Sequence, residues 1–187
     1  MNYYEVHSDD AQYPDSWFLN EPRTVEGGEL DPREFRYGTP YNGPRPAVVS
    51  VKKDGQRTAF HLGAFDMPVV TTEIADILEN LAPGDIERYP VRVGDGITNY
   101  EIINIILQKA CVDERRSGVM KWGPHDNRPD KIGQYRQLLP LFIDASRTDD
   151  SHIFRICGSL VEMIVSEKVK FALQGIDDLG IVFQPIT

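Results

Sequence analysis

The densest run of reactive side chains is Cys111-Val112-Asp113-Glu114-Arg115-Arg116-Ser117, directly after an Ile-rich stretch. Two neighbouring carboxylates can act as general acid and base when their surroundings push their pKa values apart. Asp113 and Glu114, with Arg115 beside them, are therefore the candidates for a small enzyme of unspecified reaction. Acids next to arginines also form surface ion pairs, which is the simpler account, and the same side chains suit a binding surface. The other pieces of catalytic machinery do not converge. His7, His61, His125 and His152 are scattered, and there is no GxSxG. Cys111 or Cys157 can meet a histidine only through the fold, with nothing local to support a triad. His125-Asp126 with Asp130 lacks the ligand spacing and glycine of a calcium loop and reads as a solvated loop. No GxGxxG opens a helix and no Gly-Lys-Ser/Thr loop is present, so Gly94-Asp95-Gly96 reads as a turn. The expectation is a protein that binds, with no catalytic residue, no metal ligand and no cofactor site.

Charge points to the kind of partner. The chain of 187 residues carries a net charge of −9. Nucleic-acid backbones are bound by Lys and Arg that displace counterions, so this balance argues against direct nucleic-acid binding and for a basic partner. Residues 1–35 hold nine acidic side chains against Arg23 and Arg33, a balance of −7 and most of the total. They are a solvated leader or a docking surface, and Asp9, Asp10, Asp15, Glu26 and Glu29 are the candidates for docking. Trp122 is a second candidate anchor, because buried aromatics dominate interface energies; its alternative is a core tryptophan covering a sheet end.

The elements that must position these groups follow from pattern. The size suits one domain, 1–187, with the acidic segment 1–45 packed on a core of 46–187. Tyr3 to Val6 reads as a strand. Residues 20 to 46 hold nine Gly and Pro and read as a long connection, with Phe35, Tyr37 and Tyr41 to anchor it. Asp54-Gly55 between two apolar runs predicts a hairpin of 47–51 with 58–60. Thr71 is placed to cap a helix bearing Ile74, Ile77, Leu78 and Leu81, stopped at Pro83-Gly84. Strands are expected over 86–93, 138–143, 153–156, 160–165 and 181–183, and over most of 100–112, where a helix over part of the segment is the alternative. Residues 117–134 read as a second long loop, and Ser166 caps a helix with Val169, Ala172 and Leu173 on one face. The pattern predicts an α+β fold with a mainly antiparallel sheet. A gapless shift of 95 places Val70 on Val165, Thr71 on Ser166, Ile74 on Val169, Leu78 on Leu173, Ile86 on Ile181 and Pro90 on Pro185. Residues 70–91 and 165–186 therefore both read as strand-helix-strand, either a duplicated unit or two similar solutions to burying a helix on a sheet.

Cys111 and Cys157 fit no CxxC or metal spacing and read as reduced core thiols. Met1 to Val6 lacks the charged and apolar regions of a secretory signal, and no apolar run is long enough to span a membrane. A cytoplasmic location is expected.

The segments above also carry a resemblance. Phe65-Asp66-Met67-Pro68-Val69-Val70, Tyr89-Pro90-Val91, and Tyr100 to Asn104 running on to Ser117 stand in a familiar order. Ile153-Phe154-Arg155-Ile156, Ile164-Val165-Ser166-Glu167 and Gly180 to Ile186 follow. Together they resemble a family of bacterial immunity proteins from polymorphic toxin systems, typified by a myxobacterial member and first grouped as a domain of unknown function. The resemblance covers about 1–187 and is strongest from 60 onward. It implies neutralisation of a co-encoded toxin by direct binding and implies no catalytic residues. A non-toxin regulatory binding module and the small enzyme remain the alternatives.

Overall fold

Ile74, Ala75 and Leu78 are buried along one face of helix α1 (Thr72–Leu81), the 3.6-residue spacing that the sequence shows. Val169 and Leu173 do the same on helix α2 (Glu167–Leu173), where the Ser166 hydroxyl accepts from Val169 N–H at 3.4 Å. Thr71 occupies the corresponding cap position, but its side chain makes no capping bond. The computed structural model describes all residues, Met1–Thr187.

The strands are β1 (Tyr3–Ser8), β2 (Phe18–Arg23), β3 (Val48–Lys53), β4 (Phe60–Leu62), β5 (Pro68–Thr71), β6 (Ile86–Val93) and β7 (Ile97–Ile105). After them come β8 (Gln108–Lys109), β9 (Val119–Lys121), β10 (Tyr135–Leu138), β11 (Ile153–Ile156), β12 (Ser159–Ser166) and β13 (Ile181–Pro185). Six form one sheet in the order β2-β3-β6-β7-β5-β4, and five form another in the order β13-β1-β12-β11-β8. Strands β10 and β9 make a separate two-stranded arm. Only β3–β6 and β11–β8 are parallel. The fold is α+β and mainly antiparallel.

The strand-helix-strand units are β5-α1-β6 and β12-α2-β13, and their likeness extends further than the sequence shift. In each, a third strand lies between the outer two and runs antiparallel to both. Strand β7 fills that place in the first unit and β1 in the second. The registers coincide: Thr71 pairs with Tyr100 as Ser166 pairs with Tyr3. Pro90 pairs with Glu101 as Pro185 pairs with Tyr4. Phe60 pairs with Val70 as Ile153 pairs with Val165. Even a loop contact repeats, Thr71 N–H donating to Ala59 O at 2.8 Å and Ser166 N–H to His152 O at 2.9 Å. The second unit thus takes its middle strand from the beginning of the chain.

The inner faces of both sheets and both helices meet in one core that includes Phe60, Val70, Ile103, Val6, Ile153 and Val165. Fully burying an aliphatic side chain of this size contributes about 1.5–3 kcal/mol, so this shared core holds the two sheets together. The outer face of the six-stranded sheet is covered by Trp17, Phe35 and Tyr41 from the N-terminal third of the chain. The outer face of the five-stranded sheet is covered by Cys111, Leu138, Leu141 and Ile143.

Several expectations are corrected. The segment 1–45 is woven into the fold and not laid over it, since β1 is internal to one sheet and β2 forms an edge of the other. Strands β3 and β4 exist but do not form a hairpin; three strands, β6, β7 and β5, lie between them in the sheet. Asp54 and Gly55 form no turn and instead carry the chain past Trp17. Trp17 indole N–H donates to Asp54 Oδ1 at 2.8 Å, and Trp17 N–H donates to Gln56 O at 3.0 Å. A side chain at Gly55 would collide with Asp15 O at 1.9 Å, so glycine is required there for close approach. The strand expected over 138–143 is β10, which ends at Leu138 ahead of Pro140, a residue with no N–H to continue a ladder. Cys111 is buried, its thiol pushed up to about 11 by burial, but Cys157 is exposed and is no core thiol.

Candidate partner-binding surfaces

The first surface forms because β1 and β13 are neighbours. Ser8 pairs with Ile181, so the chain leaving β1 meets the chain entering β13. Asp9 N–H donates to Gly180 O at 3.1 Å, and the Asp9 carboxylate accepts from Gln12 N–H at 3.0 Å. Asp9 is thereby fixed beside Asp177 and Asp178. These three acids, with Tyr13, line a cavity of about 500 Å³ together with the apolar Ile176, Leu179 and Phe183 and one cation, Lys170, whose ammonium lies over the Tyr4 ring at 4.0 Å. Desolvation, and then the charges of Asp178 and Asp9, push the Tyr13 phenol above its ordinary value. That field favours a cation. Asp10 is exposed next to Asp9. Asp15 continues the edge: its backbone O accepts from Gln56 N–H at 2.8 Å, and Gln56 Nε2 donates to Asp178 Oδ1 at 3.3 Å. Lys53 partly offsets Asp15 at 3.2 Å.

Glu26 and Glu29 do not join this edge. Phe18 pairs with Lys53 and Arg23 with Val48, so the turn carrying Glu26 and Glu29 lies at the opposite end of β2 from Asp15. At roughly 3.3 Å per residue, the length of β2 separates them by on the order of 15 Å. Glu29 is paired with Arg23 at 2.6 Å.

The second surface gathers Asp113, Glu114, Arg115 and Trp122 around the β9-β10 arm. Asp113, Glu114 and Arg115 line a cavity of about 500 Å³ with Tyr135, Asp144, Arg147 and the exposed Cys157. The ion pairing expected between the acids and the adjacent arginines is absent, because each side chain has another role. Asp113 caps a turn, accepting from Arg115 N–H at 3.1 Å and Arg116 N–H at 3.3 Å. Glu114 reaches across to β9 and β10, accepting from Lys121 Nζ at 2.7 Å and from the Tyr135 hydroxyl at 2.6 Å. Lys121 first and Tyr135 second hold its carboxyl below the usual range. The Arg116 guanidinium lies over the Phe142 ring at 4.4 Å.

Trp122 is not a core residue. It is half-buried just beyond β9, with Arg136 at 4.9 Å, Lys131 at 5.5 Å and Arg128 at 6.0 Å from its ring centroid. Asp126 and Asp130 serve these cations, pairing with Arg136 and Arg128 at 2.8 Å each. No group of three or more His, Cys, Asp or Glu side chains is arranged to hold a metal ion.

Sequence reasoning missed Asp177, Asp178, Tyr135, Arg147 and Cys157. Asp177-Asp178-Leu179-Gly180 reads locally as a plain turn, and only the β1–β13 pairing brings it to Asp9. No helix is long and apolar enough to cross a membrane. The chain matches no family model and no curated protein.

Proposed function

We propose that this chain is an immunity protein that binds a co-encoded antibacterial toxin in the cytoplasm and blocks it without catalysis. The observation that carries the reading is the acidic edge. Asp9, Asp177 and Asp178, drawn from both ends of the chain, line a cavity together with apolar side chains. A lysine or arginine of the toxin fits that chemistry, its stem on Leu179 and Phe183 and its charged head among the aspartates. A toxin acting on nucleic acid needs a basic surface, and an acidic inhibitor steers quickly onto such a surface and occludes it. The choice of a toxin as the partner rests on the resemblance in segment order and spacing set out above.

The enzyme alternative has a cavity at Asp113, Glu114 and Arg115 but the wrong electrostatics. A general acid working near neutrality needs a raised pKa, whereas Glu114 is held low and Asp113 is committed to a turn. Co-expression with the toxin of the neighbouring gene tests the proposal and separates it from a regulatory module unrelated to toxins. Cells carrying this protein survive toxin induction, and the variant with Asp9→Lys and Asp178→Lys protects less. Equal killing with and without the protein would reject the reading.

A further inference from the structure

The β9-β10 arm reverses the charge of the molecule. Residues 119–138 carry Lys121, Arg128, Lys131 and Arg136 against Asp126 and Asp130, a balance of +2 in a chain of −9, with Glu114 reaching over to Lys121. The arm also exposes apolar side chains that its own packing leaves uncovered: Met120 is 50% exposed, Ile132 51% and Leu139 67%. Val119, Leu138 and Tyr135 turn inward onto the core of the five-stranded sheet and anchor the arm. An irregularity between Tyr135 and Gln137 lets Tyr135 and Leu138 both turn inward. Alternation along β9 directs Met120 and Trp122 to the other face, and Arg136 lies over Trp122 there. There the Trp122 ring is clasped by cations, two of them fixed in turn by Asp126 and Asp130. Leu139 stands at the Gly118 end of the arm, while Met120 and Ile132 flank the Trp122 end. A tryptophan-arginine group with apolar neighbours has the composition of an interface hot spot.

We infer that the β9-β10 arm is a second docking surface, separate from the acidic edge, and that its occupant is an acidic segment of a partner protein with apolar side chains among its carboxylates. Charge complementarity argues for the acid. The exposed Met120, Ile132 and Leu139 argue for apolar groups in the same segment, which a phosphate backbone does not offer. An extended polyanion would also run into the net charge of the whole chain, while a short segment feels mainly the arm, because exposed charges are screened beyond about 8–10 Å. The protein then presents opposite charges at two places and can hold two partners, or two regions of one partner.

The test is a titration of the full chain followed by tryptophan fluorescence, with Trp122→Phe as the control that isolates Trp122 from Trp17. The probe is a short synthetic peptide of alternating Glu and Leu. Its binding shifts Trp122 emission, weakens as salt rises, and weakens at least several-fold with Lys131→Glu or with Ile132→Ser, variants outside the buried cores that keep the wild-type melting temperature. A single-stranded oligo-thymidine and vesicles of phosphatidylcholine with phosphatidylserine leave the emission unchanged. No shift with the peptide, or a stronger shift with the oligonucleotide or the vesicles, overturns the inference. The outcome is distinct from that of the toxin proposal, since Asp9→Lys with Asp178→Lys leaves peptide binding intact.

Discussion

Tyr3 and Tyr100 hold the same position in two copies of one four-stranded unit. Each stands opposite the residue at the N-cap position of its helix, Ser166 for Tyr3 and Thr71 for Tyr100. Each ring packs on the equivalent strand position, Tyr3 on Phe154 at 5.6 Å and Tyr100 on His61 at 6.0 Å. Each hydroxyl is bonded to a threonine, Tyr3 to Thr148 Oγ1 at 2.7 Å and Tyr100 to Thr58 O at 2.8 Å. The first strand of the chain therefore completes the last unit.

Removal of residues 1–8 takes out the middle strand of that unit and leaves the facing edges of β12 and β13 unpaired. The expected result is loss of cooperative unfolding, read by circular dichroism on heating. Tyr3→Phe removes only the buried hydroxyl bond and costs about 1 kcal/mol. A truncated chain that melts like the full one would contradict the assigned role of β1.

His61 is buried, accepts from Thr58 N–H at 3.2 Å and stacks on Trp17 at 5.8 Å. Burial pushes its pKa from 6.5 down to about 4. The folded state thus keeps His61 neutral while the unfolded chain protonates it, so stability falls as pH drops from 6.5 towards 4. The full span corresponds to about 3 kcal/mol. His7, raised by its contact with Glu5, contributes in the opposite direction, its stabilisation being lost as pH rises. The difference between wild type and His61→Phe isolates the first effect, and phenylalanine already occupies the equivalent position at 154. Denaturant unfolding at several pH values checks it: the acid slope of the variant is flatter, and parallel slopes would contradict the assignment.

Glu101 is buried and accepts two bonds from Arg88, at 2.9 and 2.8 Å. Arg88 also binds Asp76 at 2.7 Å and Glu79 at 3.0 Å, tying α1 to β6 and β7. Arg88→Met strands the buried carboxylate and destabilises by about 3 kcal/mol, whereas Glu101→Gln with Arg88→Met recovers part of the loss. Chemical denaturation of the wild type and the two variants measures this.

Phe65 (φ 54°) and Asp66 (φ 59°) are consecutive left-handed residues, and Phe65 is 52% exposed. The backbone is held by Arg36 Nη1 donating to Phe65 O at 2.9 Å, and Arg33 lies over the ring at 5.2 Å. Asparagine tolerates this conformation better than phenylalanine, so Phe65→Asn raises the stability by about 0.5–1 kcal/mol. A lower melting temperature would show that the Arg33–ring contact outweighs the strain.

Much of the fold was legible because its signals are local. The caps at Thr71 and Ser166, the helical spacing of Ile74 and Leu78, and the shift of 95 all lie within short windows. The missing middle strand of the second unit was not legible, because Tyr3 reaches Ser166 only through tertiary pairing. The same reason overturns the Asp54-Gly55 hairpin: the strands on either side found other partners, and the two residues between them form no turn. Of the surface candidates, Asp9 and Asp10 fell on a shared edge because β1 pairs with β13, which also added Asp177 and Asp178. Glu26 and Glu29, close in sequence, fell at the far end of β2. Trp122 lies outside the core because the arm that carries it is a separate two-stranded sheet.

The central claim is that the acidic edge steers this protein onto a basic toxin. The most direct measurement is the association rate with the co-encoded toxin across a series of salt concentrations, for wild type and for Asp9→Lys with Asp10→Lys and Asp178→Lys. The account predicts a wild-type rate that falls steeply with salt, and a variant that associates at least tenfold more slowly at low salt with a flattened dependence. Equal rates and equal salt slopes for the two proteins would contradict it.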